Sequence, residues 1–284
     1  VEARVGLAVS GGPDSIALLL LAHRVLGADR FAVATVDHRL RLESAAEAVR
    51  VAQICAERGI AHDTLGIAMA PGSAVQERAR AARYRALSAW CHRRGLAALV
   101  TAHHADDQAE TLVMRMNRGT GLRGLAGMRA RAVVPGGTLP LLRPLLGWRR
   151  AALVALVAGA GVDAVDDPSN RDMRFERVRV RAGLAGAPWL DPAGLAATAQ
   201  HLADSDAALD WAVDRICEAM ADATLDPALP RALALRVLER IIDRLGGTTP
   251  RGRDLARWHD RLMAGEVATL AGVRGDGRVR PWRF

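Results

Sequence analysis

The chain has 284 residues, 50% hydrophobic and 25% charged, which is ample for a packed core in about two domains and excludes a peptide or a disordered chain. Its formal net charge of +8 points toward polyanionic partners, nucleic acid first among them. All 39 basic residues are arginine, so a phosphate loop of the GxxxxGK[ST] type, which needs its lysine, is excluded. Arg4 to Val9 is a short β-branched run that predicts a strand, followed by the turn Ser10-Gly11-Gly12-Pro13 and a helix from Asp14 to Leu26. Phe31 to Val36 repeats the strand pattern, Glu43 to Arg58 reads as a helix, Ala61 to Ile67 as a weaker strand, and Ser73 to Arg94 as a long helix. Leu96 to Thr101 predicts a further strand leading into a helix over Asp106 to Asn117. Alternating strands and helices with short joins predict an α/β fold, a doubly wound parallel sheet with helices on both faces. Ligands in such sheets sit at the carboxyl ends of the strands, where the glycine turn and Asp37 would emerge.

From Thr111 to Val162 there is no acidic residue, while Arg115, Arg118, Arg123, Arg129, Arg131, Arg143, Arg149 and Arg150 are present. Part of this stretch, Gly119 to Gly127 and Pro135-Gly136-Gly137, is expected to be mobile surface. Trp148 to Ala160 predicts the next helix and Asp166 to Asn170 a turn. A composition shift near Gly183 to Pro192 marks a boundary, beyond which Pro192 to Ala221, Leu229 to Leu245 and Arg251 to Ala264 read as helices. Val267 to Phe284 reads as a tail or a hairpin about Arg274-Gly275-Asp276-Gly277. The expected domains are therefore 1–185, a mostly helical 186–265, and 266–284.

Cys55, Cys91 and Cys217 are far apart and form no CxxC pair, which suggests neither a disulfide framework nor a cysteine metal site and fits a reducing cytoplasm. Apolar runs such as Ile16 to Ala22 fall short of a bilayer span and no signal region opens the chain, so a cytoplasmic protein without a membrane partner is expected. The first residue is Val1 rather than methionine, which leaves room for native residues ahead of it.

The sharpest signal is Ser10-Gly11-Gly12-Pro13-Asp14-Ser15 between a strand and a helix. Its glycines allow close backbone approach, its serines add hydroxyls, and the helix offers unpaired N–H groups at its positive end: a phosphate cradle without lysine. The plainer reading is a helix start with Pro13 in the first turn and Asp14 complementing the dipole. On this hexapeptide the sequence resembles the PP-loop ATP pyrophosphatases. Further segments resemble the tRNA(Ile)-lysidine synthetase family in order: Val36-Asp37-His38, Arg41-Leu42-Glu43-Ser44, the stretch from Ala102 to Thr111 reading AHHADDQAET, Arg118 to Met128, and Asp166 to Asn170 with Arg177, Arg179 and Arg181. The resemblance covers most of residues 4 to 185.

That resemblance implies an ATP-dependent ligase forming a carbon–nitrogen bond. ATP would activate the C2 oxygen of the wobble cytidine in the CAU anticodon of tRNA(Ile), and the ε-amine of free lysine would displace AMP, giving lysidine and pyrophosphate. It implies ATP contacts from Ser10, Gly11, Gly12, Pro13, Asp14, Ser15, Asp37 and His103, with Asp14 and Asp37 facing Mg2+. Asp37 is alternatively a turn cap. Asp107 and Glu110 are three residues apart on one helix face, suited to receive the lysine ammonium or its proton, with Asp106 one step round; the rival role is complementing the helix dipole. His103 and His104 lack the HExxH spacing, which leaves structural or nucleotide-contact roles. Arg115 and Arg118 suit phosphate or an exposed basic face. Thr120 and Arg123 fall in the family's loop at the active-site mouth, where ordering on tRNA binding is expected, while Asp167 and Asn170 line the substrate side or form an ordinary turn.

RNA would be read by the arginine stretch and the helical domain, with Trp148 or Trp189 either stacking on bases or lying in the core. Longer family members carry a further C-terminal domain for which 284 residues leave no room, so tRNA selection is expected from the anticodon region; a homodimer is left open. Two other readings stand beside this one. A 2-thiolating PP-loop enzyme would need reactive cysteines near a motif, and a non-catalytic nucleotide or RNA-binding module would leave Asp37, Asp107 and Glu110 without a purpose.

Overall fold

The structure is a computed structural model describing residues 3–37, 43–67, 75–165, 172–220 and 222–284. The chain divides into two compact units, Val1–Ala203 and Asp204–Phe284.

In the first unit, β1 (Val5–Ala8) leads into α1 (Pro13–Leu26). Pro13 opens that helix where a missing N–H costs nothing, and Gly27, at φ 79, closes it by donating to the His23 carbonyl. There follow β2 (Phe31–Asp37), α2 (Glu43–Ala56), β3 (His62–Gly66), α3 (Val75–Arg93), β4 (Leu99–Val100) and α4 (Ala105–Asn117). Next come α5 (Leu122–Leu125), β5 (Arg131–Val133), β6 (Pro140–Leu142), α6 (Arg150–Gly159) and α7 (Glu176–Ala185). The sheet order is β3-β2-β1-β4-β6-β5. Its pairings are parallel except at the edge, where β5 runs antiparallel to β6. The expected parallel sheet with helices on both faces is present, with one antiparallel strand added at its edge. Pro135-Gly136-Gly137 is the reason: Gly136 has φ 75 and Gly137 N–H donates to the Val134 carbonyl, so this stretch is a hairpin turn.

Two apolar layers cover the sheet. Leu7, Ile16, Leu19, Val51, Leu153 and Val157 join α1, α2 and α6 to one face. On the other, Tyr84, Leu87, Trp90 and Cys91 of α3 pack on Ala32, Ala34 and Leu99. The backbone comes so close to α3 at Gly6 that a Cβ there would lie 2.5 Å from the Trp90 ring. Asp63 of β3 fixes this layer: it accepts from Trp90 Nε1 at 2.7 Å and from Arg94 Nε and Nη2 at 2.9 and 2.8 Å. Partial burial works to raise the Asp63 pKa, but the Arg94 and Trp90 hydrogen bonds prevail and hold it below the usual carboxylate range. Its contribution to stability is therefore present at neutral pH, down to the unfolded carboxylate's pKa of ~3.9, and is lost as pH falls through the lower folded value. Asp63→Asn should lower the unfolding free energy by ~1.5 kcal/mol at pH 7, and the gap to the parent should narrow in acid when urea unfolding is followed across pH.

The second unit begins within α8 (Pro192–Ala219) and continues through β7 (Thr224–Leu225), α9 (Arg231–Arg244), α10 (Gly252–Met263), β8 (Val267–Leu270), β9 (Val273–Asp276) and β10 (Trp282–Arg283). Leu255, Trp258, His259 and Leu262 recur at helical spacing along α10 and are buried, with Val237, Leu238, Ile241 and Trp282 in the same core or beside it. The last three strands are no loose tail: with β7 they form an antiparallel sheet in the order β7-β10-β9-β8. The β8–β9 turn lies at Ala271 and Gly272, whose φ values of 52 and 87 suit a tight hairpin, whereas Gly275 and Asp276 of the expected turn are strand residues. No helix among the described residues is long and apolar enough to cross a membrane.

Candidate active site

The loop from Ser10 to Ser15 leaves the carboxyl end of β1. Ser15 Oγ accepts from Ser10 N–H at 3.1 Å and donates to the Gly12 carbonyl at 2.9 Å, closing the loop on itself. Gly11, at φ 91, takes a conformation that side chains disfavour, and its carbonyl accepts from Val165 N–H at 2.9 Å. No side chain caps the first turn of α1. Pro13 has no N–H and those of Ser15 and Ile16 donate to the Gly12 carbonyl at 3.1 and 3.0 Å, so what the turn offers an anion is chiefly the positive end of the helix dipole. A Cβ on Gly12 would meet nothing nearer than 3.8 Å, so packing does not demand that glycine.

His104 caps α4 in a reciprocal box: its Nδ1 accepts from Asp107 N–H at 3.4 Å, and its own N–H donates to Asp107 Oδ2 at 3.2 Å. The far side of the ring, Nε2, lies 3.5 Å from Asp14 Oδ2, tying α4 to the loop. Burial lowers the His104 pKa, but Asp14, Asp107 and Asp106 outweigh it and hold it above the ordinary imidazole value. Asp106 turns the other way. Its Oδ2 accepts from Arg150 N–H at 2.7 Å, capping α6, and the Arg149 guanidinium lies 3.3 Å from both its oxygens. Burial raises the Asp106 pKa, and these donors more than reverse that, leaving it below the usual range.

Glu110, one turn along α4, is 2% exposed and receives two arginines from α7. Arg181 approaches with Nε at 2.6 Å and Nη2 at 3.3 Å, and Arg177 Nε at 3.2 Å. Arg181 also reaches Asp107 at 3.9 Å. Beside these groups opens a cleft of about 400 Å³, lined by Asp106, Glu110, Arg149, Arg181, Leu184 and Leu190 among others. It combines both signs of charge with apolar wall.

The family model for the PP-loop domain matches residues 1–187. The tRNA(Ile)-lysidine synthase of Novosphingobium aromaticivorans is 63% identical to this chain over 99% of it and 88% of its own length. That of Zymomonas mobilis is 42% identical over 100% and 88%. The chain belongs to the tRNA(Ile)-lysidine synthase family. Among solved structures, the U34-tRNA thiolase NcsA of Methanococcus maripaludis superposes with a TM-score of 0.58 at 15% identity, covering 72% of this chain and 71% of its own, a likeness of fold alone.

Of the positions expected from resemblance to the lysidine synthase family, Asp14, Asp106, Asp107 and Glu110 come together around His104, Arg150 and Arg181. Asp37 ends β2, the neighbour of β1. Asp14 Oδ1 is buried without a hydrogen-bond partner, 3.7 Å from Arg150 Nε. No group of three acidic, histidine or cysteine side chains suited to a metal occurs among the described residues. An unsatisfied carboxylate oxygen with a second carboxylate on the adjoining strand fits a Mg2+ ion shared with phosphate and water, the usual way this ion is held.

Other expected residues are used differently. Arg115 donates to the carbonyls of Gly124 and Gly127, and Thr120 Oγ1 donates to the Arg115 carbonyl at 3.0 Å. Arg118 pairs with Glu176, while Arg123 lies exposed on α5. Gln108, which nothing in the sequence singled out, bonds Met128 twice, Nε2 to its carbonyl at 2.8 Å and Oε1 from its N–H at 2.7 Å. The glycine-rich stretch is thus anchored to α4. Asp167 and Asn170 lie outside the described residues, as do His38, Arg41 and Leu42. The acid-free stretch, expected to face RNA, spends much of its charge internally: Arg115 and Arg143 on carbonyls, Arg149 and Arg150 on Asp106 and Asp14. Its acids were simply elsewhere in the chain.

Proposed function

We propose that this protein makes lysidine: it activates C2 of the wobble cytidine of a CAU-anticodon tRNA(Ile) with ATP and joins the ε-amine of lysine there. One observation carries the reading beyond kinship. His104 links the nucleotide loop, through Asp14, to the carboxylate face of α4, so groups suited to a phosphate and groups suited to an amine form one unit.

The loop 10–15 would hold the triphosphate by backbone N–H groups and hydroxyls. The cytidine C2 oxygen attacks the α-phosphorus, pyrophosphate leaves, and the amine then adds at C2 and expels AMP with that oxygen. Asp107 and Glu110 would bind the lysine ammonium and take the proton that the attacking nitrogen must lose. The cleft suits the rest of the amino acid, with arginines for its carboxylate and Leu184 and Leu190 for its methylene stem. Asp14 and Asp37 would hold Mg2+, which supplies charge neutralisation of the phosphates. Trp148 and Trp189 are 42% and 80% exposed, so neither serves the core, and Trp189 sits between two residues of the cleft wall. A base of the anticodon loop could stack there. Such chemistry belongs in the cytoplasm, where tRNA, ATP and free lysine meet.

The thiolation alternative is disfavoured by the cysteines. Cys55 and Cys91 are buried, and burial pushes their thiols up to about 11 and 12, leaving little thiolate for sulfur transfer. The deciding experiment incubates the protein with ATP, Mg2+, labelled lysine and CAU-anticodon tRNA(Ile). Label should enter the tRNA with one AMP and one pyrophosphate per lysine. No transfer to tRNA shown to be bound would overturn the proposal.

A further inference from the structure

The second unit, Asp204–Phe284, is neutral as a whole but polarised along the chain. Residues 204–243 hold nine acidic residues and four arginines, whereas residues 244–284 hold nine arginines and four acidic residues. The acidic half is neutralised in part within the unit, since Asp206 and Asp210 of α8 pair with Arg236 of α9, and Asp214 pairs with Arg240. The basic half comprises α10 and three of the four strands of the sheet β7-β10-β9-β8.

That sheet has one closed face and one open face. Leu225, Ala268, Val273, Gly275 and Trp282 turn inward and are buried, and a Cβ on Gly275 would lie 3.0 Å from the Trp258 ring, so α10 seals this side. The alternate residues Thr269, Arg274 and Arg283 are exposed. Arg274 stands opposite Thr269, and Arg283 opposite Asp276, two residues along β9 from Arg274, which puts both arginines on the outer face. Arg280, exposed in the short loop before β10, adds a third at its border. Asp276, the carboxylate on this face, accepts from Arg278 Nη2 at 2.7 Å and Nε at 3.0 Å. Arg274, Arg280 and Arg283 form no ion pair with a carboxylate among the described residues, whereas Arg257, Arg261 and Arg278 each do.

Exposed guanidiniums without carboxylate partners suit a polyanion, which binds through charge and the release of its counterions. The strands bear no exposed large apolar side chain, the anchor that a protein partner would need and that a phosphate backbone does not. We propose that this open face, through Arg274, Arg280 and Arg283, binds the sugar–phosphate backbone of the substrate RNA without reading its bases. That the RNA is a tRNA rests on the lysidine reading. The contact falls on the sheet at the end of the chain and not on the helices of the second unit, where the sequence alone places it.

Arg274→Gln, Arg280→Gln and Arg283→Gln, singly and together, test it. Arg215→Gln on α8 is the control, removing the same charge from an arginine paired with Glu218 in the acidic half. All four positions are exposed, so thermal unfolding should match the parent. Equilibrium binding is measured across salt, without ATP or lysine, for full-length CAU-anticodon tRNA(Ile) and for a tRNA of unrelated sequence. Each removal from the sheet should weaken both RNAs alike, by about 3- to 10-fold, and reduce the slope of log affinity against log salt by about one. Arg215→Gln should stay within twofold of the parent. An equal loss in Arg215→Gln overturns the face in favour of net charge alone, and a loss confined to one tRNA overturns backbone contact in favour of base reading. A triple variant within twofold of the parent on both RNAs overturns the proposal and leaves the face to an acidic protein. Because neither ATP nor lysine is present, failure of the parent to make lysidine would overturn the reaction and leave the binding result standing.

Discussion

Glu110→Gln should leave tRNA-dependent release of pyrophosphate from ATP nearly intact while transfer of lysine falls by ~10²–10⁴-fold, the range a positioned proton acceptor supplies. The glutamine keeps the shape of the side chain and removes its charge. Arg177 and Arg181, which meet Glu110 at 3.2 and 2.6 Å, then face a neutral amide. Breaking a fully buried pair costs ~3–5 kcal/mol, but these arginines are 39% and 31% exposed and water compensates them in part, so a loss of ~1–3 kcal/mol in unfolding free energy is expected. Rapid quench of the two half-reactions separates the effects. Equal losses in pyrophosphate release and lysine transfer would mean that Glu110 serves the fold or the nucleotide and not the amine.

Asp14→Asn should act on the other half-reaction. Its contacts, His104 at 3.5 Å and Arg150 at 3.7 Å, are long and contribute little to stability, whereas its unsatisfied Oδ1 is the feature that suits a cation. Pyrophosphate release should drop by ~10³-fold or more, as expected when charge neutralisation at a transferring phosphoryl group is lost. The Mg2+ concentration for half-maximal rate should rise, and thermal unfolding should barely move. A normal Mg2+ response with normal kcat would remove Asp14 from the metal site.

Much of this was legible in the residues. The β-branched run before Ser10, the paired glycines and Pro13 at the helix start each have one physical explanation, and all agree. Asp107 and Glu110 could be placed on a common face because α4 has an uninterrupted helical pattern. What escaped was short or common. Strands β5 and β6 have three residues each and carry Arg131 and Pro140, too little for an alternating pattern to register. The β8–β9 turn uses Ala271 at positive φ, a residue that gives no turn signal, while the more conspicuous Asp276-Gly277 ends the next strand. His104 was invisible as a cap because imidazole is an unusual one, its Nδ1 doing what a serine or aspartate oxygen commonly does.

Arg115 has a consequence for how RNA would meet this protein. By holding the carbonyls of Gly124 and Gly127 while Gln108 holds Met128, α4 gives the glycine-rich stretch its shape before any nucleic acid arrives. The chain entropy of that segment is surrendered during folding. An anticodon docking there would be closer to a key entering a cut lock than to a strap tightening around its cargo, and discrimination among tRNAs would then rest more on fit than on induced order.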